Sequence, residues 1–293
     1  KLLPLIRIIL IFILFILSLV NFFPVPSQST WYVGIAVPEF PWIFMLISLA
    51  LIIWSWYSKI FRSISLIFGV ITFLILASPI VRAYQVGSHL TQDLENSFGV
   101  KDADMTGFHQ EKPFSFLQMF TGNGAKEIPF TTYQFAKTKG VDLTLNFTPS
   151  AIPGVRPCLV VVHGGSWKQG DNSEIAAANN YFANAGYQVA TINYRLAPEH
   201  PSPAQQEDLH SAFAWLRKNS AKLKIDTTNF VMMGRSAGAS IILTMGYTGN
   251  ENGVKGIAAF YGAVAMPWSY KNPDNIWIMD SKQVQRDFLG GTP

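Results

Sequence analysis

Hydrophobic and polar positions divide this chain into two unlike parts. From Leu2 to Phe23 the residues are almost wholly apolar, interrupted by Pro4, Arg7, Ser18 and Asn21. That run is long enough to cross about 30 Å of hydrocarbon as a helix. Two more apolar segments follow, Pro41 to Tyr57 and Ile60 to Val81. The pattern predicts about three transmembrane helices, at 2–23, 41–57 and 60–81, within a membrane segment 1–82. A signal peptide is the alternative for the first, but no small-residue cleavage site follows it. Trp42, Trp54, Trp56 and Tyr57 are placed for the membrane interfaces, where amphipathic rings are favoured.

Between 83 and 128 polar residues and glycines are interspersed, and Leu90, Leu94 and Phe98 recur at i, i+4 and i+8. This spacing predicts a short amphipathic helix. The stretch reads as a linker, with a cap over an active site as the alternative. Phe114, Phe116, Leu117, Met119 and Phe120 form a second apolar patch within it.

From about residue 129 to 293 the pattern is that of a folded α/β domain. Thr131 to Phe135 and Leu143 to Phe147 are β-prone runs joined by Lys137-Thr138-Lys139-Gly140, which predicts a hairpin. Leu159 to Val162 is a continuous apolar run, as expected of a strand buried on both faces of a parallel sheet. Further strands are expected at Gln188 to Tyr194, Phe230 to Met233 and Gly256 to Tyr261. Helices are expected at Ser173 to Ala185, which stops at Gly186, and from Pro203 to Lys218. The second has Glu207 and Asp208 early and Arg217 and Lys218 late, as the helix dipole favours. Its Leu209, Ala212, Phe213 and Leu216 share one face. Alternating strands and helices of this length imply a mostly parallel sheet covered on both faces.

Charge refines this picture. Charged residues make up 14% of the 293, against about 25% in an ordinary soluble protein, and the deficit lies in the first eighty or so positions. Lys59 and Arg62 sit between the second and third apolar segments, whereas 24–40 carries only Glu39. With Lys1 and Arg7 before and within the first span, the positive-inside rule puts the amino terminus and the Lys59/Arg62 loop in the cytoplasm. Three spans then leave the α/β domain on the extracytoplasmic side. The net charge of +4 comes with no basic cluster interleaved with aromatics, so nucleic acid is not an expected partner. The single Cys158 excludes an internal disulfide and reads as a small buried residue.

The chemistry centres on Gly234-Arg235-Ser236-Ala237-Gly238, between the run Phe230 to Met233 and the helix-like Ala239 to Leu243. A G-x-S-x-G turn between strand and helix is a nucleophile elbow, which raises a serine above the carboxyl end of a parallel sheet. A serine nucleophile needs a base, an acid to orient it, and N–H donors for the oxyanion of the tetrahedral intermediate. His163-Gly164-Gly165-Ser166-Trp167 follows the Leu159 to Val162 strand, where a glycine-rich loop brings backbone N–H groups to a substrate carbonyl. The N–H of Ala237 is a further donor. Asp171 after Gly170 reads as a helix start, and no His/Asp cluster suggests a metal site. No cofactor is called for.

Together with Asn193-Tyr194-Arg195-Leu196-Ala197-Pro198-Glu199, these two motifs resemble the hormone-sensitive-lipase-like and bacterial feruloyl-esterase-like branch of α/β-hydrolases, over about Phe130 to Pro293. The resemblance implies an α/β-hydrolase fold and a carboxylic ester hydrolase of the serine esterase or lipase kind. Ser236 would be the nucleophile, with Gly164, Gly165, Ser166 and Ala237 around the oxyanion hole. Gly234, Gly238, His163 and Trp167 would support the motifs, and His163 would shape its loop rather than act as base. The membrane segment lies outside the family pattern.

In this fold the triad runs Ser, then Asp or Glu, then His. All five histidines, His89, His109, His163, His200 and His210, precede Ser236. His210 reads as a surface residue and His200 as part of its loop. The later acids Glu251, Asp274, Asp280 and Asp287 read as loop or helix-surface charges. The triad acid and base are therefore expected beyond Pro293, in a domain incomplete at its carboxyl end and left with an open sheet edge. Asp208 either braces the Tyr194 to Glu199 loop or only favours its helix start. The expected partners are a small-molecule or lipid-like ester and the lipid bilayer. Amide, formamide or peptide hydrolysis on the same fold is the alternative chemistry, and a binding protein on a dead hydrolase scaffold the non-enzymatic one.

Overall fold

The computed structural model describes residues 2–99, 114–122, 124–249 and 251–293. His109 and most of the expected linker or cap, residues 100–113, lie outside them. The chain divides into two compact units. One holds the apolar amino-terminal helices together with Asp274–Asp280, the other Phe116–Pro273 with Ser281–Pro293.

The first unit contains α1 (Leu2–Ser18), continued by a 3-10 turn at Leu19–Asn21, then α2 (Gln28–Glu39), α3 (Pro41–Trp56) and α4 (Arg62–Phe98). Its burial runs opposite to that of a water-soluble bundle. Ile13, Ile16, Leu46, Ile67 and Leu74 are exposed, while Arg7, Ser18, Ser48, Ser55, Ser65 and Thr72 are buried between helices. Such a pattern suits a hydrocarbon solvent, in which polar groups turn to the bundle interior and find partners there. Ser48 Oγ donates to the Gly69 carbonyl at 3.0 Å and Ser55 Oγ to the Leu51 carbonyl at 2.7 Å. Arg7 Nη2 donates to the Ile60 carbonyl at 2.5 Å. Ile11, Leu14, Val37, Leu51 and Leu76 fill the space around them.

Two elements depart from the sequence reading. The stretch 24–40, expected as a loop, contains α2. Its start is fixed at Ser27, whose N–H donates to Thr30 Oγ1 at 3.2 Å. The helix breaks at Phe40 and α3 opens on Pro41, with an angle of 81° between the two. The third apolar segment does not end near residue 81, because α4 runs without a break to Phe98. The expected short helix around Leu90 and Leu94 is its last part. At 37 residues α4 is about 55 Å long, more than the hydrocarbon thickness. Two helical runs, Leu2–Asn21 and Arg62–Phe98, are long and apolar enough to span a membrane, and the bent pair α2–α3 is a third if it counts as one span.

The second unit opens with a short helix α5 (Gln118–Thr121), followed by β1 (Thr131–Thr138) and β2 (Val141–Thr148). The expected hairpin forms, with the turn at Lys139 and Gly140, both at positive φ. Then come β3 (Arg156–Val162), α6 (Ala176–Asn184), β4 (Gln188–Ile192), α7 (Ala204–Lys218), α8 (Ser220–Leu223), β5 (Ile225–Arg235), α9 (Ala237–Thr248), β6 (Val254–Phe260), α10 (Met266–Lys271) and α11 (Ser281–Leu289). The six strands form one sheet in the order β1-β2-β4-β3-β5-β6. The β1/β2 and β2/β4 pairings are antiparallel, and β4/β3, β3/β5 and β5/β6 are parallel.

Alternation along β3 shows how the sheet is covered. Cys158, Val160 and Val162 face one core with Leu209, Phe213 and Leu216 of α7 and Ile241 and Ile242 of α9. Leu159 and Val161 face the other with Ala183 of α6. The continuous apolar run of β3 is thus explained by burial on both faces. On the outer strand β6, Ile257 and Phe260 are exposed. β4 lies on one side of β3 and β5 on the other, so the chain changes direction at β3. In such sheets the crevice beyond the carboxyl ends of the strands at this point is where ligands bind. The loops leaving β3 and β5 meet there.

Candidate active site

Ser236 stands where β5 passes into α9, with φ 50° and ψ −117°. A non-glycine residue at positive φ outside the left-handed helical well is strained and persists only where its surroundings fix it. Its N–H donates to the Phe260 carbonyl at 2.9 Å, and its carbonyl accepts the Ser240 N–H at 3.2 Å. The strain depends on Gly234 and Gly238 on either side. A Cβ at 234 would lie 2.6 Å from the Gly238 oxygen, and one at 238 only 2.3 Å from the Val162 oxygen. The elbow thus packs directly against the end of β3. The N–H of Ala237, at the first position of α9, belongs to a helix turn without intrahelical acceptors.

The loop after β3 reaches the same point. A Cβ on Gly164 would lie 3.3 Å from Ser236 Cβ, so the backbone of this loop adjoins the nucleophile. Lys168 and Gln169 donate their N–H groups to the Gly165 carbonyl at 3.0 and 3.1 Å, closing the loop into a turn. Ser166 and Trp167 within it both have positive φ, 54° and 60°.

His163 is buried, with Nδ1 2.7 Å from its neighbour's carbonyl oxygen on Gly164. Its ring stacks on Tyr194, centroids 4.2 Å apart. Burial pushes its pKa below the ordinary imidazole value, outweighing the Gly164 carbonyl, Glu174 and Asp171, which favour the proton. Tyr194 donates its hydroxyl to the carbonyls of His163 and Gly164 at 3.1 and 3.3 Å. Burial raises its pKa as well.

The Tyr194 to Glu199 loop is held in turn by Asp208, which braces it as one of the two sequence readings expected. The carboxylate accepts the Arg195 N–H at 2.7 Å and the Arg195 Nε at 2.9 Å. Arg195 also reaches the Ala204 carbonyl and Glu207, and Gln205 Nε2 donates to the Arg195 carbonyl at 2.9 Å. Trp167 is buried, accepts the Ala197 N–H on its carbonyl at 2.8 Å, and stacks on Phe288 of α11.

The remaining titratable groups lie in other partnerships. His210 Nδ1 is 2.5 Å from Glu251 Oε1, and Arg217 shares that carboxylate. His200 donates its N–H to the Leu196 carbonyl at 3.0 Å. Asp171 accepts the Ser173 N–H at 2.7 Å and its hydroxyl, as a helix-start residue does. Asp287 pairs with Lys168 at 2.6 Å. Among the described residues no group of three or more His, Cys, Asp or Glu is placed to hold a metal ion.

Residues 163–167 and 234–238 come together as expected from the sequence. Tyr194, Arg195 and Phe288 were not identified as site residues, and the first two are embedded in a motif that was. The contact of Phe288 with Trp167 spans the fold. The Arg235–Glu174 ion pair, at 2.8 Å beside the nucleophile, was likewise unmarked.

The BD-FAE family model matches residues 146–286. The carboxylesterase NlhH of Mycobacterium tuberculosis is 32% identical over 108 residues, 36% of this chain and 34% of NlhH. Mouse hormone-sensitive lipase is 29% identical over 149 residues, 50% of this chain and 20% of the lipase. Esterase LipW from Mycobacterium marinum superposes with a TM-score of 0.48 at 22% identity, covering 57% of this chain and 56% of LipW. The chain spans about a third or less of the length of these curated relatives. Residues 146–286 are thus similar to the BD-FAE family, and part of them to curated carboxylesterases.

Proposed function

We propose that the full-length protein is a membrane-anchored serine hydrolase that cleaves carboxylic esters through an acyl-enzyme on Ser236. The observation that carries this reading is the strained Ser236 set against Gly164. Attack of Ser236 Oγ on an ester carbonyl develops negative charge on the carbonyl oxygen. The N–H groups of Gly164, Gly165, Ser166 and Ala237 are the donors proposed to receive it, a type of interaction worth roughly 3–4 kcal/mol of barrier per donor. Collapse of the tetrahedral intermediate expels the alcohol and leaves the acyl group on Ser236, and water then releases the acid. A base must take the Ser236 proton. The rings of His163 and His210 are held by other partners and His200 is part of the loop after Tyr194, so the proposal assigns the base to none of them. The names of the relatives, carboxylesterase and lipase, favour an ester over an amide.

The anchor is the bundle α1 to α4, with its apolar exterior and polar interior, and the hydrolase unit is proposed to lie on the extracytoplasmic side. A fluorophosphonate probe applied to the full-length protein in its membrane is expected to label Ser236. Ser236→Ala should abolish both labelling and hydrolysis of short-chain esters. Labelling that survives the substitution would refute the assignment.

A further inference from the structure

The loop proposed to hold the oxyanion is not held by its own sequence. Ser166 and Trp167 are consecutive non-glycine residues at positive φ, a conformation that L-residues rarely adopt and that surrounding contacts must maintain. Beside the Ala197 N–H on the Trp167 carbonyl, side-chain contacts come from α11, more than a hundred residues downstream. The Trp167 indole lies face to face on the Phe288 ring, with centroids 4.1 Å apart and planes within 14°. The next residue, Lys168, places Nζ 2.6 Å from Asp287 Oδ2, and this contact holds the Asp287 carboxyl below its usual pKa. α11 is itself fixed. Phe288 is buried in the main core, and its carbonyl accepts the Ser202 N–H at 2.6 Å.

The restraint reaches the donors through covalent geometry. The Gly165 carbonyl accepts the N–H groups of Lys168 and Gln169, and it belongs to the same planar peptide as the Ser166 N–H. In a trans peptide the C=O and N–H point in opposite directions. Fixing the Gly165 oxygen therefore fixes the direction of the Ser166 N–H, and Trp167 and Lys168 lie inside the turn that fixes it. We propose that Phe288 and Asp287 are positioning residues, which orient the oxyanion loop through Trp167 and Lys168. This rests on the serine-hydrolase reading above.

A misplaced donor weakens binding of the tetrahedral species far more than binding of the ground-state ester. In the full-length protein, Phe288→Ala is expected to lower kcat for a p-nitrophenyl ester, and the affinity for a trifluoromethyl ketone, by roughly 10- to 100-fold, with KM changed less than about 3-fold. Phe288→Tyr, which preserves the stack, should restore most of both. Lys168→Asp and Asp287→Lys should each reduce kcat, and the double exchange should recover it. The exchange also keeps the test decisive if Phe288→Ala does not fold. Wild-type kcat and ketone affinity in all these variants, with an active wild type, would overturn the inference alone. A wild type that neither hydrolyses the ester nor binds the ketone would remove the serine-hydrolase reading and this inference with it.

Discussion

Ser236 is strained and His163 buried where the ends of β3 and β5 crowd together. His163 carries a consequence that can be measured. Its folded pKa is depressed below the ordinary value of 6.5, chiefly by burial. Below about pH 6.5 the unfolded state therefore binds more protons than the folded one, and stability falls as pH drops. Above that value the group contributes no pH dependence. The melting temperature is expected to decline as pH is lowered from about 6.5, levelling off below the folded pKa. His163→Asn should flatten that part of the profile, which thermal unfolding across pH 5 to 8 would reveal. At this scale the sequence was most legible. Gly234, Ser236 and Gly238 lie within five residues of one turn, so their steric requirement is written locally. The resemblance removed His163 from the role of base, and in the structure its ring stacks on Tyr194. The contact of Phe288 with Trp167 was hidden, since no periodicity links positions that far apart.

Elements were read less evenly. The strands and helices after residue 130 appear close to where the apolar patterns put them, because each pattern is the imprint of one covered face. Helix α2 was missed: Gly34, Pro38 and a mixture of polar and aromatic residues give it no amphipathic period, and its start depends on the Ser27–Thr30 contact. The length of α4 was missed for the opposite reason. Its apolar and polar parts look like different elements, although the helix continues through Pro79 between them. Between elements, the brace from α7 to the Tyr194 loop is where stability is most exposed to a single change. The side chains of Arg195 and Asp208 are 1% and 2% exposed. Breaking a buried pair by removing one partner strands the other charge and costs about 3–5 kcal/mol. Asp208→Ala is expected to lower the denaturation midpoint by a corresponding amount, and Asp208→Asn by less, because the amide oxygen still accepts the Arg195 N–H. Equal stability of Asp208→Ala and the wild type would contradict the brace.

For the proposed membrane anchor, the parity of crossings decides which side the second unit faces. Two spans return the chain to the side of its amino terminus, and three leave it opposite. The bond from Arg7 to Ile60 bears on this, because it ties the first half of α1 to the α3–α4 loop. The two are at one end of the bundle, as they must be if the bent pair α2–α3 crosses once. With Cys158 replaced by serine, a cysteine at Lys137 is expected to react with an impermeant maleimide in intact cells. A cysteine at Ser58 should react only after permeabilisation. The reverse pattern would refute the proposed orientation. The count of three apolar segments was legible from hydropathy, but not how the middle one bends, since an 81° break leaves composition unchanged.

The same bond constrains how the bundle is made. An arginine near the centre of a membrane helix costs about 2.5–3.5 kcal/mol on insertion scales, less when its head can reach the interface. In the proposed membrane anchor, the acceptor at Ile60 has not been synthesised when α1 leaves the ribosome, which leaves the guanidinium to headgroups or water at that stage. Only after α3 and its following loop are in place can Arg7 withdraw into the bundle, where it is fully buried. In the proposed anchor, Arg7 can therefore take up its buried place only once the α3–α4 loop has been made.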